Sequence, residues 1–350
     1  MPSEGSGLQG QFAAIVGAPR CGTTSLARYL EARSDVDFSV VKEPHFFSQF
    51  DLSGLGDEDL LDTIEQDYLA RYFPDANGNG RMLMEGSVTY LYASQQIEPI
   101  LRVWPDAKFI IAVRDPLAML PSLHQRLVFM GDETESDFAS AWTLAPERAQ
   151  GRSIPRTCVA PAWLQYPEIG KLGTYVARFF AAVGRERCLV IVFDDLVADP
   201  GAVYRDVLFF LGLPDDQRTD FSVCRASRGY KWGWLQRLLK RPPKSVRSVM
   251  AGEKYRQRVK KIDKRPDPWL VKSILRARKR LLLWNEAPAP DLTLSPAMAT
   301  EVREALADDV VMLARLLGRD LSHWLGGVPE ANMEPPAEPP AQQEPAPVEA

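Results

Sequence analysis

A loop of nine residues between a hydrophobic run and a helical pattern has the composition of an anion-binding site. It reads GAPRCGTTS and spans residues 17–25. Its glycines permit a tight turn and let the backbone approach a ligand closely. Thr23 and Thr24 lie at a helix start, where unpaired N–H groups and the helix dipole favour an anion. The loop predicts a site for a phosphate-type anion, and Arg20 is its one cation.

The same loop lacks the residues of an ATP-dependent kinase. Such a loop needs lysine and then serine or threonine after its second glycine, to reach the terminal phosphates and magnesium. Here Thr23 follows Gly22 directly. A glycine-rich turn before a capped helix, without any ligand, is the alternative interpretation.

A second segment, IIAVRDPLAMLPSLHQR (110–126), offers another anion site. Arg114 ends a hydrophobic run, and Ser122 follows eight residues later on a helical pattern. Arginine can grip a phosphate with two parallel hydrogen bonds, to which a serine hydroxyl adds a third. Two separate phosphate sites suit a nucleotide phosphorylated at both its 5′ and 3′ positions. The alternative is that Arg114 only pairs with Asp115 at a surface turn.

The elements around these segments predict an α/β fold. Four short apolar runs read as buried strands, and helical patterns lie between them. This alternation is typical of a single domain with a central parallel sheet flanked by helices, which binds ligands at the carboxyl ends of its strands. The four runs are residues 12–17, 81–85, 108–115 and 188–195.

Composition and charge divide the 350 residues into three parts. We expect a flexible N-terminus over 1–10, one domain over 11–325 and a disordered Pro/Ala/Glu-rich tail over 326–350. Within the domain, 225–285 is predicted to be a helical basic extension, since Arg225 to Arg280 holds 20 basic residues against three acidic ones. A polyanion is expected near that charge.

Four dispersed cysteines and the absence of a basic n-region favour a cytoplasmic location without a signal peptide. The sequence has no run of about 18 apolar residues, which is the length that would predict a membrane span. The sequence contains no cluster of cysteines or carboxylates that would predict a metal site.

Four motifs in order resemble the P-loop sulfotransferases that use 3′-phosphoadenosine-5′-phosphosulfate (PAPS), in their bacterial and heparan-type branch. APRCGTTS resembles P-K-x-G-T-T, and VKEPHFFSQF resembles K-E-x-x-F-F. VRDPLAMLPS matches R-[DN]-P-x5-S, and LVIVFDDLVADP resembles Y-E-D-L-x-x-D-P. Together they span residues 13–200. The resemblance implies a P-loop fold, PAPS as the sulfuryl donor and no requirement for a metal.

The resemblance also implies residue roles at the nucleotide. Arg20 stands where the family has a lysine, beside the 5′-phosphosulfate, and Arg114 with Ser122 would hold the 3′-phosphate. Phe193, in place of the motif tyrosine, would pack on adenine or else in the core. The other predicted nucleotide contacts are the backbone of Cys21, Gly22, Thr23, Thr24 and Ser25, and the cations Arg225, Arg228 and Lys231.

In the family, the glutamate of K-E-x-x-F-F removes the acceptor proton, which implies Glu43 as the general base here. We expect burial beside Phe46 and Phe47 to raise its pKa, and Lys42 to supply charge near the sulfonate. His45 is the rival base, and a plain Lys42–Glu43 salt bridge is the structural alternative. Gly86 stands where the family's E-K-[ST] segment has a lysine.

The acceptor is expected to be a small molecule or a glycan. Residues 240–284 mix cations with leucine and tryptophan, which favours a solvated helical face or peripheral contact with an anionic membrane over nucleic acid. Two other functions stay open: a P-loop nucleotide or small-molecule kinase, and a non-catalytic relative that binds anions or membranes. The oligomeric state is not predicted.

Overall fold

The computed structural model describes residues 10–76, 80–222, 228–240, 269–288 and 290–327. Its centre is a five-stranded, wholly parallel sheet of order β2-β3-β1-β4-β5. The strands are β1 (Phe12–Gly17), β2 (Val36–Phe38), β3 (Met82–Gly86), β4 (Lys108–Val113) and β5 (Cys188–Val192). Four of them confirm the predicted runs. Strand β2 was not predicted, because three residues are too short to show a pattern.

Helices cover the sheet, as the α/β pattern predicted. The α-helices of the main domain are α1 (Thr23–Glu31), α2 (Phe46–Gln49), α3 (Asp57–Thr63), α4 (Ala70–Tyr72), α5 (Glu98–Val103), α6 (Pro116–Met130), α7 (Phe138–Thr143), α8 (Ala145–Ala149), α9 (Tyr166–Ile169), α10 (Leu172–Val183), α11 (Phe193–Ala198) and α12 (Pro200–Leu211). A π-helical stretch, Ile64–Leu69, joins α3 to α4. Strands covered on both faces must be apolar throughout, and every residue of β1 is buried.

Among the described residues, three further α-helices lie towards the carboxyl end: α13 (Gly233–Lys240), α14 (Trp269–Trp284) and α15 (Pro296–Leu317). Helix α15, which was not predicted, packs against α10. Its buried Asp309 accepts hydrogen bonds from the N–H groups of Gly173 at 2.6 Å and Thr174 at 2.8 Å. This carboxylate satisfies orphan donors in the first turn of α10 and so fixes α15 to the domain.

The basic extension contains one short strand besides its helices, which the prediction for 225–285 did not include. Strand β6 (Arg228–Tyr230) pairs antiparallel with β7 (Glu286–Pro288). Strands of three residues, far apart in sequence, leave no periodic pattern. Residues 241–268 and most of the predicted tail lie outside the described residues. Within the described ranges, no helix is long and apolar enough to cross a membrane.

Because β3, β1 and β4 are neighbours, their carboxyl ends meet at one edge of the sheet. The loop after β1, the turn after β3 and Arg114 after β4 therefore lie side by side. This is the edge at which open parallel sheets bind ligands.

Candidate active site

The loop after β1 turns sharply into α1 at Gly22. This residue is the N-cap of the helix and has a φ of 84°, in the left-handed region that favours glycine. A Cβ here would lie 2.5 Å from Cδ2 of Leu196, so the packing also requires glycine. No side chain caps α1, and its first turn contains no acidic residue. The N-terminus of α1 can therefore receive an anion.

Arg20 and Ser122, from the two predicted anion sites, contact each other. Nε of Arg20 donates a hydrogen bond to Oγ of Ser122 at 2.9 Å. Nη1 of Arg114 donates to the carbonyl oxygen of Arg20 at 3.2 Å. The loop after β1 and the helix after β4 thus form one cluster of donors beside the N-terminus of α1.

Phe193 lies against this cluster. The guanidinium of Arg114 stacks over its ring, 4.4 Å from the centroid, and the ring edge lies near Gly22. A cation over an aromatic face is held by the ring quadrupole, so Phe193 orients Arg114. The pairing of Arg114 with Asp115, which was the alternative interpretation, is not seen, and Asp115 instead caps α6 by accepting a hydrogen bond from Leu117 N.

A third arginine of this site, Arg126, was missed by the sequence analysis. Burial lowers the pKa of Arg20, and the like charges of Arg126 and Arg114 lower it further. Arg126 lies four residues after Ser122, on the same face of α6. That spacing was visible in the sequence and could have identified it. The three arginines concentrate positive charge where an anion would relieve their mutual repulsion.

Lys42, Glu43 and His45 meet on the segment before α2. Nζ of Lys42 lies 2.8 Å from Oε1 of Glu43, and Nε2 of His45 lies 3.7 Å from Oε2. The side chain of Glu43 is 41% exposed, so an acceptor can reach it. The Lys42–Glu43 ion pair, considered as a structural alternative, is therefore present beside the rival base.

The pKa of Glu43 lies below its ordinary value, contrary to prediction. Desolvation raises this pKa, but it is outweighed by the charge and hydrogen bond of Lys42 together with other nearby positive charges, that of Arg126 among them. Desolvation also lowers the pKa of His45, against the opposing charge of Glu43. At neutral pH the site therefore presents a carboxylate beside an uncharged imidazole.

The turn after β3 holds this segment in place. The N–H of Gly86 donates to the carbonyl of Lys42 at 3.0 Å, and the N–H of His45 donates to Oγ of Ser87 at 2.9 Å. Thr89 Oγ1 lies 2.9 Å from Nδ1 of His45. The glycine at the family's lysine position thus lies against the backbone of Lys42.

Behind that turn, Glu85 is fully buried. It accepts hydrogen bonds from Ser87 at 2.5 Å and from the hydroxyls of Tyr68 and Tyr90, each at 2.7 Å. Burial raises the pKa of Glu85 although these hydrogen bonds lower it. Tyr90 also accepts from the N–H of Phe47 at 3.3 Å. The buried carboxylate therefore orients the hydroxyls that hold the Glu43 segment.

Other predicted residues contribute less. Burial raises the pKa of the Cys21 thiol to about 12, so Cys21 stays protonated and offers its backbone only. Lys231 donates a hydrogen bond to the carbonyl of Trp284 at 3.0 Å. Arg228 is the first residue of β6. Arg225 lies outside the described residues. No group of three histidine, cysteine or carboxylate side chains in the described part of the chain could hold a metal.

The profile of the sulfotransferase family matches residues 43–217, half of the chain. The chain belongs to the sulfotransferase family. The match begins at Glu43 and includes Arg114 and Ser122, while the loop after β1 precedes it.

The chain is similar to two sulfotransferases from other organisms. Carbohydrate sulfotransferase 15 of Rattus norvegicus is 26% identical over 246 residues, which cover 57% of this chain. The chain spans 43% of the length of that relative. The crystal structure of a sulfotransferase from Alicyclobacillus acidocaldarius is 26% identical and superposes with a TM-score of 0.58. That likeness covers 90% of this chain and 98% of the other.

Proposed function

We propose that this sulfotransferase moves the sulfuryl group of PAPS to a hydroxyl of a carbohydrate, a glycolipid or a small metabolite. The observation that carries the proposal is the direct contact of Arg20 with Ser122 and Arg114 beside the N-terminus of α1. These groups can bind both phosphates of one nucleotide, and Glu43 on the neighbouring segment is open to an acceptor.

The nucleotide would be held by contacts of two kinds. The N–H groups at the start of α1 would bind the 5′-phosphate, with Thr23 and Thr24 adding hydroxyls. Arg114 and Ser122 would bind the 3′-phosphate, and Ser122 would then exchange its bond from Arg20 for one to the ligand. Arg20 would thereby be freed to contact the 5′-phosphosulfate.

In the transfer step, the acceptor oxygen forms a bond to sulfur while the bond from sulfur to the 5′-phosphate oxygen breaks. The electron pair leaves on that phosphate, where the Arg20 charge and the dipole of α1 stabilise it. Glu43 accepts the proton of the acceptor hydroxyl. Lys42 and Arg126 add positive charge on the acceptor side. Positioning and charge stabilisation therefore carry the catalysis.

Isothermal titration with 3′-phosphoadenosine-5′-phosphate tests this proposal. We expect a dissociation constant in the micromolar range or tighter, and much weaker binding of 5′-AMP, which lacks the 3′-phosphate. Equal binding of the two nucleotides would overturn the assignment of the 3′ site. Magnesium-dependent ATP binding in their place would indicate a kinase. Vesicle binding without nucleotide binding would indicate a non-catalytic relative.

A further inference from the structure

Helices α13 and α14 expose aromatic and basic side chains together. Eight large apolar residues are exposed on them and on the residue before α13: Trp232, Trp234, Leu238, Trp269, Ile274, Leu281, Leu283 and Trp284. Trp269 is 77% exposed and Trp234 is 67% exposed. We call these eight residues, with the cations between them, the basic aromatic surface. Soluble proteins rarely expose so many large apolar groups together without a binding partner.

Cations are interspersed among these apolar groups. Arg237 is exposed on α13, and Arg276, Lys279 and Arg280 are exposed on α14. Neither helix contains an acidic residue. On α14, Trp269, Arg276, Arg280 and Leu283 lie on one side by helical spacing, opposite the buried Leu275 and Arg278. The outer side therefore carries both apolar groups and positive charge.

The two helices are held together by buried polar contacts. Nε of the buried Arg278 donates to the carbonyl of Leu239 at 2.9 Å, in the last turn of α13. Asn285 accepts from the N–H of Trp232 at 2.9 Å and donates to the side chain of Gln236 at 3.2 Å. Trp232 and Trp284 pack edge to face, with centroids 4.6 Å apart. The outward side chains are thus displayed by an ordered pair of helices.

This pair is attached to the helix that carries Ser122 and Arg126. Nε2 of Gln236 donates to the carbonyl of Phe129 at 3.1 Å, near the end of α6. The ring of Phe129 also faces that of Tyr230, at 6.4 Å between centroids. The basic aromatic surface is therefore coupled to the far end of an active-site helix.

We propose that the basic aromatic surface docks on an anionic lipid membrane. Tryptophan prefers the headgroup level of a bilayer, where its ring is apolar and its N–H stays hydrated. The leucines add apolar area, and arginine and lysine are attracted to anionic headgroups. A polynucleotide would be bound by the cations but would gain little from Leu238 and Leu283. The proposal does not depend on sulfuryl transfer.

Co-sedimentation of the full chain with vesicles is the test. We expect binding to phosphatidylcholine vesicles that contain phosphatidylglycerol, weakened by added salt, and little binding to phosphatidylcholine alone. The double variant Arg276→Glu/Arg280→Glu should bind about tenfold or more weakly, since each cation near an anionic surface adds about 1 kcal/mol, or about fivefold. The double variant Trp234→Ser/Trp269→Ser should weaken binding by a similar factor.

Matched controls lie on other elements. Phe209→Ser removes an aromatic ring that is 89% exposed on α12. Arg152→Glu/Arg205→Glu reverses two exposed charges outside the basic aromatic surface. Both controls should bind vesicles like the unchanged chain. All variants should retain the affinity for 3′-phosphoadenosine-5′-phosphate, which separates this surface from the nucleotide site.

Three results would overturn the proposal. The unchanged chain could fail to bind anionic vesicles at low salt, or the controls could lose as much binding as the surface variants. Alternatively, duplex DNA could bind as tightly as the vesicles and be weakened by the arginine changes but not by the tryptophan changes. That last result would identify the surface as a polyanion site.

Discussion

Nε of Arg20 donates a hydrogen bond to Oγ of Ser122 at 2.9 Å, across 102 residues of sequence. The bond joins the loop after β1 to the helix after β4. Each of these segments alone gives only a moderate indication of an anion-binding site. Their contact makes them one site, and a nucleotide phosphorylated at both ends is a ligand that would engage both.

Arg114→Ala should remove the preference for a 3′-phosphate. A hydrogen bond to a charged group is worth about 1.5–3 kcal/mol, so affinity for 3′-phosphoadenosine-5′-phosphate should fall about 10- to 100-fold. Binding of 5′-AMP should change little. Titration calorimetry with both nucleotides measures the difference. Arg102→Ala, which removes a surface arginine paired with Asp57, is the control. An equal loss of affinity for both nucleotides would mean that Arg114 contacts a part that the two share, and not the 3′-phosphate.

Glu43→Gln should lower turnover strongly while preserving nucleotide affinity. Loss of a general base lowers the rate by a factor of roughly 10²–10⁴, and the amide keeps the shape of the side chain. Release of 3′-phosphoadenosine-5′-phosphate from PAPS with carbohydrate and glycolipid acceptors is the measurement.

His45→Asn is the matched comparison for the choice of base. His45 has a φ of 56°, a conformation that asparagine tolerates well, so the backbone should persist. We expect a much smaller loss of rate than for Glu43→Gln. The opposite order of the two variants would assign the base to His45.

Arg126→Ala should move the acidic limb of the pH–rate profile upward. The charge of Arg126 helps to hold the pKa of Glu43 below its ordinary value, so removing that charge lets this pKa rise. The carboxylate is then protonated, and inactive as a base, at a higher pH than before. Profiles of kcat/KM against pH measure the shift. Arg126→Lys keeps the charge and should leave the limb in place. If the acidic limb does not move in Arg126→Ala, the charge of Arg126 does not affect the pKa of the base.

The α/β sheet and the residues that form the site could be predicted from the sequence better than the contacts among those residues. Buried parallel strands are continuous apolar runs, so β1, β3, β4 and β5 were visible, whereas the three residues of β2 were not. Arg20 and Ser122 were both predicted as ligand contacts. Their mutual hydrogen bond depends on the order of strands in the sheet, which no local pattern records.

The pKa of Glu43 shows a second limit of the sequence. Phe46 and Phe47 suggested a desolvated carboxyl with a raised pKa. In the structure Phe46 and Phe47 are buried, while Glu43 faces Lys42 and the charge of Arg126. The sign of the shift is set by these nearby positive charges, which outweigh the desolvation of Glu43.

Glu85→Gln should change how stability depends on pH. Burial raises the pKa of Glu85, so the folded protein holds this proton more tightly than the unfolded chain does. The stabilisation from that proton is complete below the unfolded pKa, about 4.3, and is lost as pH rises through the folded value. Glutamine cannot titrate, and its carbonyl can still accept from Tyr68 and Tyr90. The unchanged chain should therefore lose stability relative to Glu85→Gln as pH rises from about 4.3 through the raised pKa of the folded state.

Thermal unfolding of both proteins over that pH range measures the difference in Tm. Every other titrating group, including Glu43 with its opposite shift, is common to the two chains and cancels in the comparison. Glu304→Gln, on an exposed position of α15, should give a curve of Tm against pH that is parallel to that of the unchanged chain. If Glu85→Gln also runs parallel, Glu85 is ionised in the folded protein with an ordinary pKa. The three hydroxyls would then compensate its burial fully.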